Sequence, residues 1–142
     1  MAHGEARPTY NRRMIRALLA GLLLSMPLSV TTAANVAPMP AGDATAGAAS
    51  FHMCASCHQV GPGARGGFGP QLNGVIGRRA AGTADYAYSA AMKKSGIVWD
   101  ERTLTAFLRD PDKVVPGTKM RFWGIGNEQK IANLLAYLRQ YR

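Results

Sequence analysis

The chain has 142 residues, which allows one domain with a segment left over. Its 17 basic and 8 acidic residues give a formal charge of +9, suited to acidic protein partners or anionic membrane surfaces. Nothing besides that charge points to nucleic acid. There are only two cysteines, so a four-ligand zinc site would have to recruit His52, His58 and distant groups.

The spare segment is at the front. Asn11-Arg12-Arg13-Met14-Ile15-Arg16 is a basic run, Ala17 to Val30 is uncharged and leucine-rich, and Thr32-Ala33-Ala34 reads as a small-x-small cleavage site. Residues 1–34 therefore read as an export signal that is removed, by the general secretion route, to leave a periplasmic product. The alternative is a retained anchor, since residues 17–37 run for 21 positions without a charge. Pro27, Ser25 and Thr31-Thr32 dilute that stretch, which favours cleavage. Removal leaves 13 basic and 7 acidic residues, a net +6 on about 108 residues. So few residues bury a small core, and a large apolar ligand at the centre solves that problem. The chain without its ligand is expected to be largely unfolded; a cooperative, native-like melting transition in the ligand-free form would count against this.

Residues 35–42, with Pro38 and Pro40, read as a flexible lead-in to a domain over 43–142. A helix is predicted from Asp43 or Thr45, either able to cap it, with Gly47 and Phe51 on one face. Gly47 reads equally as fraying or as the place where another helix comes close. The helix runs into Cys54-Ala55-Ser56-Cys57-His58. Thiols three positions apart share one face of a helical turn, where both can add to the vinyl groups of a haem. The histidine that follows faces the iron from the same side. C-x-x-C-H is the haem c attachment signature. A thioredoxin-like couple would need a preceding strand in a βαβ unit, and a disulfide across two residues would close a strained loop.

Gly61, Gly63, Gly66, Gly67 and Gly69 with Pro62 and Pro70 make an irregular loop, without the Gly-Lys-Ser/Thr of a phosphate cradle. Short helices are predicted next. Ser89 to Lys94 is stopped by Gly96. A second is capped by Asp100, carries Leu104, Phe107 and Leu108 on one side, and ends at Pro111. After the turn Pro116-Gly117-Thr118-Lys119-Met120, Asn127 caps a last helix with Ile131, Leu134, Leu135 and Leu138 in one stripe. Glu128 suits its positive end, and Arg139 and Arg142 its negative end. No alternating strand pattern of useful length is present, so the fold class is all-α with long loops.

These motifs, in this order, resemble the class I c-type cytochromes of the soluble mitochondrial and bacterial kind. The resemblance spans residues 42–139 and rests on C-x-x-C-H, Gly69-Pro70-x-Leu72-x-Gly74, Gly77-Arg78, Tyr88, Gly96-Ile97-x-Trp99, Pro116 to Met120 and Leu134-x-x-Tyr137-Leu138. It implies a small cytochrome c fold, with short helices and long loops around one covalent haem c on Cys54 and Cys57. It further implies that His58 and Met120 are the axial iron ligands and that the Pro70 carbonyl receives the proton on the other His58 nitrogen. His/Met ligation gives a higher potential than His/His. Tyr88, Trp99 and Thr118 resemble the donors to the haem propionates, with Arg78 nearby, and Gly47, Phe51, Leu134 and Tyr137 the crossing of the terminal helices. The implied function is a monomeric, single-haem periplasmic electron carrier, not an enzyme, docking transiently with donor and acceptor proteins.

The chain departs from the pattern in places. Phe107 stands where many relatives have a tyrosine approaching the methionine sulfur, and Trp123 where they have a small residue. Met53, Gly67, Asp112, Gly126 and Asn127 occupy positions of docking lysines, while Lys113, Lys119 and Arg121 remain. Docking is therefore expected to be more apolar, with Trp123 contributing and charge steering less. The rival readings are a membrane-anchored cytochrome of the same domain, and a haem sensor or peroxidase-like protein in which Met120 is displaced. No distal acid–base histidine supports the second.

Overall fold

In the computed structural model, residues 39–142 are described, and the signal segment lies outside them. Five helices follow in order: α1 (Ala44–Phe51), α2 (Ala90–Lys94), α3 (Glu101–Arg109), α4 (Pro111–Val114) and α5 (Glu128–Leu138). Among the described residues the only strand-like pairing is a bridge between Arg79 and Val98, so the fold is all-α.

The helix starts follow from local chemistry. The Asp43 carboxylate accepts from the amides of Thr45 and Ala46, Asp100 from Thr103 and Asn127 from Lys130, each filling donors that a first turn leaves open. Thr103 answers Asp100 with its own hydroxyl, which accepts from the Asp100 amide at 2.9 Å. Ser89 caps α2 and Gly96, at φ +67°, releases the chain after it. Helix α4 was not foreseen: Pro111 ends α3 but also opens a new turn, because Asp110 caps it and proline suits the first helical position. Arg139 does more than face a helix end; it pairs with Glu101 of α3, as Arg109 pairs with Glu128 of α5.

The fold closes where α1 crosses α5. A Cβ added at Gly47 would overlap the Asn133 carbonyl oxygen and lie 2.7 Å from the Tyr137 Cβ. Only glycine lets the two backbones approach this far. Phe51 leans on the Tyr137 ring at 5.4 Å, and Ile131, Leu134 and Leu135 are almost wholly excluded from water. The lead-in reaches the same helix: the Asp43 amide donates to Asn133 Oδ1 at 2.8 Å, and Gln129 Nε2 donates to the Ala41 carbonyl at 2.6 Å.

The Cys54–His58 stretch lies just beyond α1, on turns that mix two spacings. Cys54 and Cys57 amides donate three residues back, Ala55 and His58 amides four back. Helical hydrogen bonding thus continues in tightened form past His52, rather than as the regular helix expected for this motif.

Candidate haem site

The apolar faces of α3 and α5 do not fully meet protein. Leu104, Phe107 and Leu108 from α3 and Leu134 and Leu138 from α5 line one cavity of about 380 Å³, within the roughly 300–1,000 Å³ usual for cofactor sites. Cys54, Cys57, His58, Pro70, Arg78, Tyr88, Trp99, Thr118 and Met120 all reach this same space. They come from five separate chain segments.

His58 is the most constrained of them. Its Nδ1 lies 2.7 Å from the Pro70 carbonyl oxygen. A carbonyl only accepts, so the proton sits on Nδ1 and the lone pair on Nε2. The ring is held from behind by Gly69, where a Cβ would come within 2.8 Å of Nδ1. The Gly69 amide in turn donates to the Cys57 carbonyl at 2.9 Å and the Leu72 amide to that of Gln59 at 2.9 Å. Burial pushes the imidazole pKa down, partly opposed by the Pro70 bond. Burial favours the neutral ring and the Pro70 bond orients it, and a neutral, oriented imidazole is the form a metal requires.

Cys54 is half-buried and Cys57 exposed. Burial, and secondarily the neighbouring Cys57, raise the Cys54 pKa. On the far run of chain, Thr118 is buried, and its hydroxyl accepts from the Met120 amide at 3.3 Å. Lys119 Nζ donates to the Ala87 carbonyl at 2.5 Å, tying the methionine loop to the 83–88 loop. Trp99 packs against Phe107 with ring centroids 4.9 Å apart, and the Tyr88 hydroxyl lies 2.8 Å from Thr83 Oγ1.

Arg78 supplies the test of fit. Two of its nitrogens donate to the carbonyls of Asn73 and Gln71, at 2.8 and 2.9 Å, bracing the loop after Pro70. Its Nε is buried with no partner. An orphaned buried donor of a cation is costly, and a carboxylate in the cavity would satisfy it. A ligand with an apolar body, a metal open to imidazole, positions for two thioethers and an acidic edge answers every unmet group here. Haem c has those parts, and the residues fit it. Arg78→Met is expected to lower the melting temperature and, by removing a cation beside the redox centre, to lower the reduction potential by some tens of millivolts; potentiometric titration reads the shift.

The Cytochrome c family profile matches residues 44–142. The chain belongs to the cytochrome c family. It is 47% identical over 109 residues to a cytochrome c2 of Blastochloris viridis, covering 77% of this chain and 86% of that one. It is 50% identical over 102 residues to the cytochrome c2 of Rhodoblastus acidophilus, covering 72% and 95% respectively. Cytochrome cH from Methylobacterium extorquens superposes with a TM-score of 0.66 at 46% identity, covering 70% of this chain and 99% of that structure. As a member of this family the chain is a haem c protein and a single-haem electron carrier.

Some of the cytochrome's cavity residues escaped sequence reasoning. Met92, buried in α2, lines the cavity with Met120, and Phe68 stands 89% exposed at its edge. Phe68 had a signal: it is the only aromatic side chain in a glycine-rich loop, where a polar residue is expected.

Proposed function

We propose that the mature chain is a periplasmic, monomeric carrier that passes single electrons between proteins, with His58 and Met120 as its axial iron ligands. The His58–Pro70 hydrogen bond carries this reading, because it fixes the tautomer and leaves the Nε2 lone pair free to ligate iron. Haem supplies the one-electron ferric/ferrous couple when bound. The chain's own residues do the rest. Cys54 and Cys57 anchor, and Thr118 holds the backbone of Met120. Tyr88, Trp99, Thr118 and Arg78 offer polar atoms to the acidic edge. Leu104, Leu108, Leu134 and Leu138 exclude water, so little solvent reorganises when charge changes.

Export is supported by the basic, apolar and small-residue pattern of residues 1–34, and among the described residues no helix is long and apolar enough to cross a membrane. Intact-mass analysis and redox titration of the exported protein test the whole reading. The expected mass is residues 35–142 plus one haem, with a positive potential and no carbon monoxide binding by the reduced form. A mass that retains the first 34 residues would make it an anchored cytochrome. Ready carbon monoxide binding would make it a sensor or enzyme.

A further inference from the structure

Among the described residues, a second cavity of about 350 Å³ shares no lining residue with the haem site. Its walls include Gly61, Asn73, Gln140, Tyr141 and Arg142. They are fixed in place. The Gly61 amide donates to Asn73 Oδ1 at 2.8 Å, and Asn73 Nδ2 donates back to the Gly61 carbonyl at 2.9 Å. The Gly74 amide donates to the Tyr141 carbonyl at 2.8 Å. Gly61, at φ +89°, sets no side chain against the tyrosine; a Cβ there would stand 3.6 Å from Tyr141 Cε1. The edge of that ring is left open to a small flat molecule.

Tyr141 is also the outer end of a row of three rings. Its centroid lies 5.2 Å from that of Tyr137, and Tyr137 lies 5.4 Å from Phe51. Phe51 is buried and lines the haem cavity. The row therefore runs from one cavity to the other. The two phenol hydroxyls are hydrogen-bonded at 2.9 Å. A phenol hydroxyl both donates and accepts, so either oxygen can supply the proton between them. Exchanging electrons at the haem site makes no use of this row.

The chemistry on offer at the second cavity is narrow. Among the described residues no Asp, Glu or His lines it, so proton transfer by an ordinary acid or base is not provided. A phenol backed by a second phenol and a one-electron donor provides a hydrogen atom instead.

We propose that Tyr141 and Tyr137 form a radical-quenching port, in which Tyr141 gives a hydrogen atom to a small phenoxyl-type radical in the second cavity and the ferrous carrier restores it through Tyr137 and Phe51. This rests on the carrier reading above. The Tyr141 O–H bond breaks and an O–H bond forms on the incoming radical, leaving a closed-shell phenol and a Tyr141 phenoxyl. The Tyr137 hydrogen then crosses the shared hydrogen bond to Tyr141. One electron from the ferrous centre and one proton from water restore Tyr137. The net change is one radical reduced, one ferrous centre oxidised and one proton taken up. A tyrosyl radical is a far stronger oxidant than ferric haem, so the sequence runs downhill in this direction only.

The test is pulse radiolysis of the haem-loaded protein in azide with excess para-hydroxybenzoate, whose phenoxyl radical out-oxidises tyrosyl. In the ferrous parent, radical decay is expected to be matched one for one by loss of the ferrous absorption band, without dityrosine fluorescence. In the ferric parent, which has no electron to give, a tyrosyl paramagnetic signal and dityrosine-linked dimers are expected. Tyr141→Phe should lose both and slow the ferrous reaction severalfold. Tyr137→Phe should strand the radical on Tyr141, so that dityrosine forms in the ferrous protein too. Ferrous oxidation in Tyr141→Phe at the parent rate would overturn the proposal. So would its loss in Trp123→Phe alone, since the fully exposed Trp123 is the rival entry point. Parent-like melting and midpoint potential show that a variant retains its fold and haem. Spin-trapping with peptide mapping on the ferric parent needs no variant, and an adduct away from Tyr137 and Tyr141 would overturn the port. If the parent shows no reversible one-electron wave, the carrier reading fails, whereas the ferric trapping still tests the port by itself.

Discussion

Met120→Ala is expected to abolish the weak far-red sulfur-to-iron absorption band of the ferric protein and to open the reduced protein to carbon monoxide. The reduction potential should fall by on the order of 0.1 V or more, a fraction of the about 0.8 V that axial ligands command. The cause is the softness of a thioether, which favours ferrous iron over ferric. The side chain is half-buried and reaches the cavity, and its backbone amide is held by the buried Thr118 hydroxyl. Far-ultraviolet circular dichroism should change little, since the α1–α5 crossing does not involve this loop. Met92 and Met53 also border the cavity, so each is replaced by leucine as a control. Both controls should keep the band. Loss of the band in Met92→Leu with its survival in Met120→Ala would move the sixth ligand to α2.

Gly47→Ala should cost about 2–4 kcal/mol of stability despite the roughly 1 kcal/mol that alanine gains over glycine inside a helix. A domain of this size loses about 4–8 °C of melting temperature per kcal/mol, so the midpoint should drop by about 10 °C or more. Overlap with the Asn133 carbonyl decides the sign, because that oxygen belongs to the α5 backbone and cannot swing aside. Gly126→Ala is the matched control: no atom lies within 4 Å of an added Cβ and its φ is not positive. It should be neutral or slightly stabilising. A melting temperature for Gly47→Ala within a degree or two of the parent would show that the two helices separate easily.

Most of the fold was legible because its signals are local. Asp43, Ser89, Asp100 and Asn127 each announce a helix by a side chain that accepts from an amide two or three residues on. The stripes on α3 and α5 name the core directly. Helix α4 was missed because Pro111 was read only as a terminator, though the aspartate before it makes it equally a beginning. Gly47 could not be decided from spacing, since a close approach exists only once the partner helix is in place. Among the cavity residues, His58 was legible in the C-x-x-C-H motif itself, whereas its carbonyl partner Pro70 was named through the family resemblance, which supplies tertiary proximity that no spacing encodes. Phe68 was missed because its place at the cavity edge comes from the fold, although a lone aromatic in a glycine-rich loop was there to be read.

The hydrogen bond from Asp43 to Asn133 joins positions 90 residues apart. In chain order the Cys54–His58 stretch comes well before α5. The final residues are the last part of the clasp in chain order, and without them α1 has no crossing partner. A chain cut short before α5 would still carry both thiols and the histidine, and would accept its haem, yet have nothing to shut the fold over it. The carboxyl-terminal helix thus completes the clasp on α1 last in chain order.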